Sequence, residues 1–355
     1  MPAALNAETI ARAPKVVLHD HLDGGLRPQT VLELADRYGY RELPAADAGA
    51  LGAWFRQAAD SGSLVRYLET FAHTVGVMQH PDAIHRVARE CALDLAADGV
   101  VYAEVRFAPE LSTAQGLQIE AVVEAMVAGF AAGSAEAATP IQVGALLCAM
   151  RQADRWEEVA GLVVRYRDAG VVGFDLAGPE IGFPPDRVPA AIALLDREGA
   201  HRTIHAGEAA GIESIRAALD GARAERLGHG VRIADEVSQD GALGALARRV
   251  RDEQVTLEIA PSSNVQTGAY PSLAAHPVDR LHRLGFAVTV NTDNRLMSGV
   301  SVSSEMTDVA TTFDWSWDDV QTVTERALAA AFLSEPERKR LLCDVVRPGY
   351  AALRD

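Results

Sequence analysis

The segment KVVLHDHLDGG, residues 15–25, distinguishes between two α/β architectures. It begins with an apolar run that predicts a β-strand and continues into His19-Asp20-His21. An open doubly wound sheet usually carries a Gly-x-Gly-x-x-Gly turn after its first strand, and that turn is absent from this position. A histidine-rich strand end is what the catalytic face of a closed barrel needs, because functional side chains from several strands gather there.

Seven further apolar runs predict strands, and the segments between them carry apolar residues at helical spacing. Strands that alternate with helices predict parallel pairing, and eight such units predict an α/β fold of the (β/α)8 TIM barrel type. The seven runs are VVYAEVRF (100–107), VGALLCAM (143–150), VVGFDL (171–176), RTIHA (202–206), ERLGH (225–229), VTLEIA (255–260) and AVTVN (287–291).

The stretch from about residue 27 to residue 99 is too long for one crossover helix. Its last helix-like piece, PDAIHRVARECALDLAADG, leads into the second strand. We expect the other pieces to form a lid-like helical insertion on the catalytic side of the barrel, and a packing elaboration away from the site is the alternative. Since no Pro/Gly/Ser-rich linker divides the chain, residues 1–355 are predicted to form a single barrel domain.

Composition narrows the class of partner. The net charge is −16 over 355 residues, whereas nucleic-acid binders usually present a basic face. The N-terminal sequence lacks a signal-peptide pattern and no apolar run approaches ~18 residues, so we expect a cytoplasmic protein without a membrane segment. Cys91, Cys148 and Cys343 are scattered, which argues against a thiolate metal site or a redox pair.

The pair His19 and His21 suits metal binding, because residues i and i+2 of a strand face the same side. Both imidazoles are expected to point into the barrel mouth, with Asp20 turned away. Neutral imidazole is a good ligand for Zn²⁺. The alternative is an accidental pair at a strand end.

The segment HAGE, residues 205–208, adds a ligand and a carboxyl group. Gly207 allows a sharp turn, so that His205 can bind a metal while Glu208 lies over a substrate. A glutamate buried beside apolar groups has a raised pKa and can stay protonated as an acid. The alternative for Glu208 is a carboxylate that stabilises a helix N-terminus.

Two more strand ends complete the set. His229, between two glycines, is expected to be exposed at a loop tip, where it can orient a water molecule and accept its proton; an ordinary surface or core histidine is the alternative. Asp293 offers a hard oxygen ligand and a second oxygen for the water. Three neutral histidines and one aspartate would lower the pKa of zinc-bound water towards ~7. Six other histidines are interpreted as ordinary ones: His73, His80, His85, His201, His276 and His282.

These segments resemble the adenosine deaminase family of the metal-dependent amidohydrolase barrels, and the similarity covers nearly the whole chain. The resemblance implies one zinc ion per chain. It further implies that Glu208 protonates purine N1 and that His229 orients and deprotonates the water, with Asp293 also taking part in catalysis. The zinc ligands implied are His19, His21, His205 and Asp293. The segments that carry the resemblance are HDHLDGGLRP, VVGFDLAGPE, RTIHAGE, RLGHG, LEIAPSSNVQTGA and VNTDN.

The resemblance also implies the substrate contacts. The Gly178 N–H would meet N3 of the base, Asp23 would reach the ribose 5′-hydroxyl, and His21 would lie at the substrate as well as at the metal. Asn294 stands where the family often has a second Asp. An Asn amide donates a hydrogen bond at any pH, whereas an Asp must be protonated to do so, so we expect the contact with purine N7 to persist with altered strength.

The reaction implied is hydrolytic deamination of adenosine and 2′-deoxyadenosine to inosine and 2′-deoxyinosine with release of ammonia, within purine metabolism. One alternative substrate is a 5′-modified adenosine such as aminodeoxyfutalosine or methylthioadenosine. Adenine and AMP are both disfavoured by Asp23. The remaining alternative is a non-catalytic metal-binding barrel, which would be expected to lose Glu208 or His229 first. The sequence leaves the oligomeric state open.

Overall fold

Residues 4–354 are described by a computed structural model of the chain, and within this range eight strands run parallel. Each predicted strand is present, with ends that differ by at most two residues from the predicted ones. The strands are β1 (Lys15–His21), β2 (Val100–Phe107), β3 (Gln142–Met150), β4 (Val171–Ala177), β5 (Thr203–Ala206), β6 (Arg226–His229), β7 (Thr256–Ile259) and β8 (Val288–Val290).

Backbone hydrogen bonds close the strands into a barrel. Strands β1 to β4 pair in order, and so do β5 to β8. The first group joins the second through the Phe174 N–H, which donates to the His201 carbonyl at 2.9 Å. The ring closes where the His21 N–H donates to the Asp293 carbonyl at 2.7 Å and the Asp293 N–H donates to the His19 carbonyl at 2.9 Å. The predicted TIM barrel is confirmed, and an open sheet is excluded.

Helices surround the barrel, and the residues between β1 and β2 form five of them, as the length of that stretch predicted. None of the helices in residues 4–354 combines the length and apolar character needed to cross a bilayer. The helices are α1 (Ala7–Arg12), α2 (Pro28–Tyr38), α3 (Ala48–Ala59), α4 (Leu64–Glu69), α5 (Phe71–Val77), α6 (Pro81–Ala97), α7 (Ile119–Glu136), α8 (Trp156–Arg165), α9 (Pro189–Glu198), α10 (Ile212–Asp220), α11 (Ala245–Asp252), α12 (Pro261–Gln266), α13 (Val278–Arg283), α14 (Arg295–Ser298), α15 (Val302–Thr312), α16 (Trp317–Ala330), α17 (Glu335–Leu341) and α18 (Arg347–Arg354). Short 3-10 turns lie at Pro109–Thr113, Arg167–Ala169, Pro185–Arg187, Val231–Glu236 and Leu273–Ala275, and a π-helical turn at Leu342–Val346.

Helix α6 shows why the long connection ends as the sequence predicted. Pro81 occupies the first turn, where its missing N–H costs no helical hydrogen bond, and buried apolar residues recur along one face of the helix. The helix ends at Ala97, and Gly99 turns the chain with a φ of +77°, which is readily adopted only by glycine. The chain then enters β2 directly. The helix packs along α7, so it belongs to the outer ring of the barrel.

An ionic cluster fills the interior of the barrel below the strand ends. The fully buried Arg106 guanidinium donates to Asp175 at 2.8 Å, to Glu258 at 2.7 Å and to the Leu18 carbonyl at 2.7 Å. Arg226 bonds the other oxygen of Glu258 at 2.7 Å. The surrounding carboxylates keep the pKa of Arg106 above its ordinary value despite burial, which by itself lowers it. Each buried charge therefore has an opposite charge in hydrogen-bond contact.

We expect Arg106→Met to lower the free energy of unfolding by about 3–5 kcal/mol, the cost of leaving buried carboxylates without their partner. Urea unfolding followed by circular dichroism measures this change. Arg165→Met is the matched control, because Arg165 pairs with Glu120 at the surface and exposed pairs contribute little. Equal stability of the two variants would contradict a structural role for the ionic cluster.

Candidate active site

The predicted metal ligands converge at the carboxyl ends of the strands. His19 Nε2 lies 3.2 Å from Asp293 Oδ1, and His21 Nε2 lies 3.3 Å from the same oxygen. His21 Nε2 is also 3.3 Å from His205 Nε2. Donor atoms that share a tetrahedral zinc with bonds of about 2.0 Å are about 3.3 Å apart. The spacing of these four groups fits one metal ion.

Two carboxylates behind the histidines decide which ring nitrogens face the cluster. His19 Nδ1 bonds Glu258 at 3.1 Å, and His205 Nδ1 bonds Asp175 at 2.9 Å. Since a carboxylate accepts, both Nδ1 atoms carry the proton and both Nε2 atoms present lone pairs. His19 Nε2 is buried without a hydrogen-bond partner, and it faces a carboxylate oxygen that is also an acceptor. A cation between them removes this conflict.

His229 belongs to the same cluster. The ligand atoms of His19, His205, His229 and Asp293 all lie within 4.8 Å of one another. Five groups therefore surround a space in which a tetrahedral metal takes four. His21 is closer than that limit to both Asp293 and His205, so distance alone allows His21 or His229 as the fourth ligand.

Backbone conformation explains how His229 and Asp293 enter the cluster. Both have left-handed backbone, with φ of +62° and +55°, a conformation that costs a non-glycine residue of order 1 kcal/mol or more. It turns each side chain over the barrel mouth at the end of its strand. The expectation that His229 is exposed at a loop tip is wrong: the residue is 1% exposed, because the glycines around it allow other elements to pack close to its ring.

The loop after β5 is held by a residue that the sequence reasoning did not single out. Gly207 has a φ of +73°, as the predicted sharp turn requires. The Glu180 carboxylate then accepts hydrogen bonds from four consecutive backbone N–H groups at 2.5–3.1 Å. Those donors belong to Gly207, Glu208, Ala209 and Ala210. A single buried carboxylate thus fixes the backbone that carries Glu208.

The environment of Glu208 suits a proton donor. Burial and the nearby Asp293 charge raise the pKa of Glu208 to about 7. Thr267 Oγ1 donates to Glu208 Oε1 at 2.8 Å, and Asn264 Nδ2 lies 3.5 Å from the same oxygen. With Oε1 occupied by donors, the proton of the neutral acid belongs on Oε2, which lies 3.6 Å from His229 Nε2.

Three residues of helix α12 and its C-cap form hydrogen bonds with groups of the site. Ser263 Oγ donates to Asp293 Oδ2 at 2.6 Å, and Asn264 Nδ2 lies 3.0 Å from His229 Nδ1. Thr267, at the C-cap, holds Glu208. The sequence reasoning missed these roles, since Ser and Asn close to a proline are also ordinary residues at a helix start.

A cavity of about 350 Å³ lies over the cluster, and the predicted substrate residues His21, Asp23, Gly178 and Asn294 are among its lining residues. Asp23 Oδ1 and Asn294 Oδ1 are buried without hydrogen-bond partners. Burial raises the pKa of Asp23 to about 7. Gly178 has a φ of +102°, which glycine adopts without strain. Helices α4 and α5 form part of the apolar wall through Leu64, Tyr67, Leu68, Phe71, Ala72 and Val75.

The orientation of Asn294 follows from its neighbour. A Cβ atom on Gly24 would lie 1.9 Å from Asn294 Oδ1, so the amide oxygen is packed against the glycine backbone. The amide nitrogen is turned away from Gly24. The second glycine of the HLDGG segment lies beside Arg295, whose guanidinium would meet any side chain there at 2.5 Å. Gly24 is therefore needed for the close approach of Asn294, and Gly25 leaves room for the Arg295 guanidinium.

Comparison with known proteins agrees with this geometry. The model of the adenosine deaminase family matches residues 14–348. The chain belongs to the adenosine deaminase family. Two similar relatives are an adenosine deaminase from Mycolicibacterium vanbaalenii and adenosine deaminase 1 from Streptomyces coelicolor. Each is 56% identical over 99% of this chain, and the matches cover 99% and 92% of the relatives.

A solved structure shows the same architecture. The crystal structure of an adenine deaminase from Arthrobacter aurescens superimposes with a TM-score of 0.82 at 27% identity. The match covers 94% of this chain and 98% of the other. Family membership and the His/Asp cluster together identify the chain as a member of the metal-dependent amidohydrolases.

We expect Glu258→Gln to weaken metal binding by about 10- to 100-fold, because the orienting carboxylate behind His19 is lost. Titration of the metal-loaded protein with a chelator, followed by elemental analysis, measures this affinity. Glu90→Gln is the matched control, since Glu90 is also buried but bonds Thr30 and Arg86 away from the cavity. Unchanged metal retention in Glu258→Gln would contradict the orienting role.

Proposed function

We propose that this protein catalyses the hydrolytic deamination of adenosine and 2′-deoxyadenosine to the corresponding inosines and ammonia. We further propose that one zinc ion is held by His19, His21, His205 and Asp293. The observation that carries the proposal is the convergence of this ligand set with a buried carboxyl, Glu208, in one cavity. Zinc, when bound, supplies Lewis acidity that makes water nucleophilic near neutral pH.

Glu208 acts as the acid. A pKa of about 7 leaves a large fraction of its carboxyl protonated near neutral pH. Transfer of the Oε2 proton to purine N1 draws electrons away from C6 and makes that carbon electrophilic. Water then adds to C6 and gives up both of its protons. One returns to the Glu208 carboxylate, and the other reaches the 6-amino group, which leaves the same carbon as ammonia. His229, beside Glu208 Oε2, orients the attacking water.

Three groups position the nucleoside. The backbone N–H of Gly178 donates to N3, the Asn294 amide nitrogen donates to N7, and Asp23 bonds the 5′-hydroxyl of the ribose. The unpartnered oxygen of Asp23 supports this arrangement, because a buried acceptor without a donor costs about 1–3 kcal/mol until a ligand satisfies it. We propose that α4 and α5, which line the cavity, form the lid over the bound nucleoside.

The charges of the cavity discriminate among related substrates. Within the described residues, the lining of the cavity includes the carboxyls of Asp23, Glu180 and Glu208 and neither Arg nor Lys. A 5′-phosphate would therefore enter without a cationic partner, which disfavours AMP. A 5′-modified adenosine with an apolar substituent is the second candidate, because Leu64, Leu68 and Phe71 give the cavity an apolar wall.

A screen for ammonia release tests the reaction. We expect zinc-loaded protein to release ammonia from adenosine and 2′-deoxyadenosine faster than from adenine, AMP or methylthioadenosine. Glu208→Gln should bind zinc and fold as the native chain does but lose at least about 100-fold in kcat, since an amide cannot supply the proton. Glu90→Gln again serves as the buried control. Rates in Glu208→Gln close to those of the native protein would rule out its role as the acid.

The variant Asp23→Ala is expected to affect the reaction of adenosine but not that of adenine. We expect kcat/KM for adenosine to fall by about 10-fold or more, the scale of one lost hydrogen bond to a buried group. The rate with adenine should change little, because adenine has no 5′-hydroxyl. The same assay measured with both substrates gives the ratio. Equal losses for both would mean that Asp23 does not contact the ribose.

A further inference from the structure

His276 is a buried histidine that does not line the cavity. Its Nδ1 accepts a hydrogen bond from the backbone N–H of Val278, the first residue of α13, at 3.1 Å. A backbone N–H can only donate, so Nδ1 is unprotonated and the neutral ring carries its proton on Nε2. Burial lowers the pKa of His276 to about 3, which keeps the ring neutral. The tautomer of His276 is thus fixed by the main chain.

The next link is Asn264. His276 Nε2 lies 3.2 Å from Asn264 Oδ1, and because Nε2 carries the proton it is the donor. The amide nitrogen of Asn264 consequently faces the other way, 3.0 Å from His229 Nδ1 and 3.5 Å from Glu208 Oε1. Rotating the amide by half a turn would place two donors together at His276 and two acceptors together at Glu208. The amide therefore has one satisfied orientation.

The series of hydrogen bonds that begins at His276 ends at His229. Its Nδ1 accepts from the Asn264 amide, so the neutral ring carries its proton on Nε2. That nitrogen lies on the side of Glu208 Oε2, at 3.6 Å, and adjoins the cluster of metal-facing groups. A protonated Nε2 has no lone pair, so it can donate to an oxygen in the cavity but cannot accept its proton.

We propose that His276 and Asn264 are positioning residues that hold His229 in the Nε2–H tautomer, so that His229 donates a hydrogen bond to the attacking oxygen. This inference rests on the proposed deamination, and it differs from the base role that the sequence suggested for His229. The proposal also decides between His21 and His229 as the fourth metal ligand, because a His229 ring without a free Nε2 lone pair cannot bind the metal through that nitrogen. His21 then takes that place.

Nitrogen NMR reads the tautomer directly. In zinc-loaded protein labelled with 15N-histidine, we expect pyrrole-type Nε2 and pyridine-type Nδ1 signals for both His229 and His276. His229→Asn and His276→Gln identify the signals by their loss. A protonated Nδ1 on His229 would overturn the proposal. Because the measurement needs no substrate, it stands or falls separately from the proposed function, which the ammonia screen tests.

Variants of His276 test the link to catalysis. We expect His276→Phe to lower kcat for adenosine by about 10-fold or more, the usual effect of losing an outer hydrogen-bond partner, with little change in KM. His276→Gln keeps a donor near the Nε2 position and should restore most of the lost turnover. His282→Phe is the matched control: His282 is buried in α13 but bonds Asp319 and Arg326 instead. We expect His282→Phe to be less stable than the native protein but not to show the fall in kcat expected for His276→Phe. Equal kcat for His276→Phe and His276→Gln would contradict the positioning role.

The variant Asn264→Asp reverses the direction of the hydrogen bond between residue 264 and His229. A carboxylate in place of the amide accepts from His229 Nδ1–H, so the NMR signals should show the inverted tautomer. We expect kcat to fall by at least about 100-fold, the scale of losing one preorganised hydrogen-bond donor. An inverted tautomer with native turnover would show that His229 works through an unprotonated Nε2, and the proposed donor role would be rejected.

Discussion

The bridge from Arg106 to Asp175 and Glu258 is the interaction on which the active site depends. These two carboxylates are the groups that bond His205 and His19 through Nδ1. A bare pair of buried carboxylates would be costly, and a protonated one would not hold an imidazole in the required tautomer. The guanidinium helps to keep both ionised. Despite burial, His205 and Arg106 hold the pKa of Asp175 below its ordinary value, and Arg106 and Arg226 do the same for Glu258. The ion pairs in the barrel interior therefore also determine the direction in which the Nε2 lone pairs of His19 and His205 point.

Much of the fold and part of the candidate site were predictable, because both depend on short-range patterns. Apolar runs separated by amphipathic segments predicted the eight strands, and parallel strands bring their carboxyl ends to one rim. Histidines and an aspartate at four such ends must then lie close to each other, and the i, i+2 spacing of His19 and His21 places both on one side of β1. No three-dimensional information is needed for that step.

The supporting residues could not be predicted in this way. Glu180, Asn264 and His276 act on groups 12 to 35 positions away in the chain, and their residue types are common in loops and helix starts. The burial of His229 was also missed, since the sequence does not show which distant elements pack against the glycines on either side of it. A buried carboxylate that binds four backbone N–H groups has no signature in one sequence. Such roles emerge only when partners distant in the chain are brought together.

The distribution of unsatisfied atoms explains how such a site selects its ligand. Behind the cavity, the carboxylates and the ring nitrogens they bond are paired, whereas His19 Nε2, Asp23 Oδ1 and Asn294 Oδ1 are buried without partners. Each unpaired buried atom costs free energy, and a ligand group that forms a hydrogen bond or metal bond with that atom removes the cost. A ligand that lacks one of those groups leaves a buried polar atom unpaired. This lowers its affinity more than the loss of a methylene group from a ligand in an apolar pocket does. Asn294 differs, because its unpartnered Oδ1 packs against Gly24. Its proposed contact with the base uses the amide nitrogen, which is a donor at any pH.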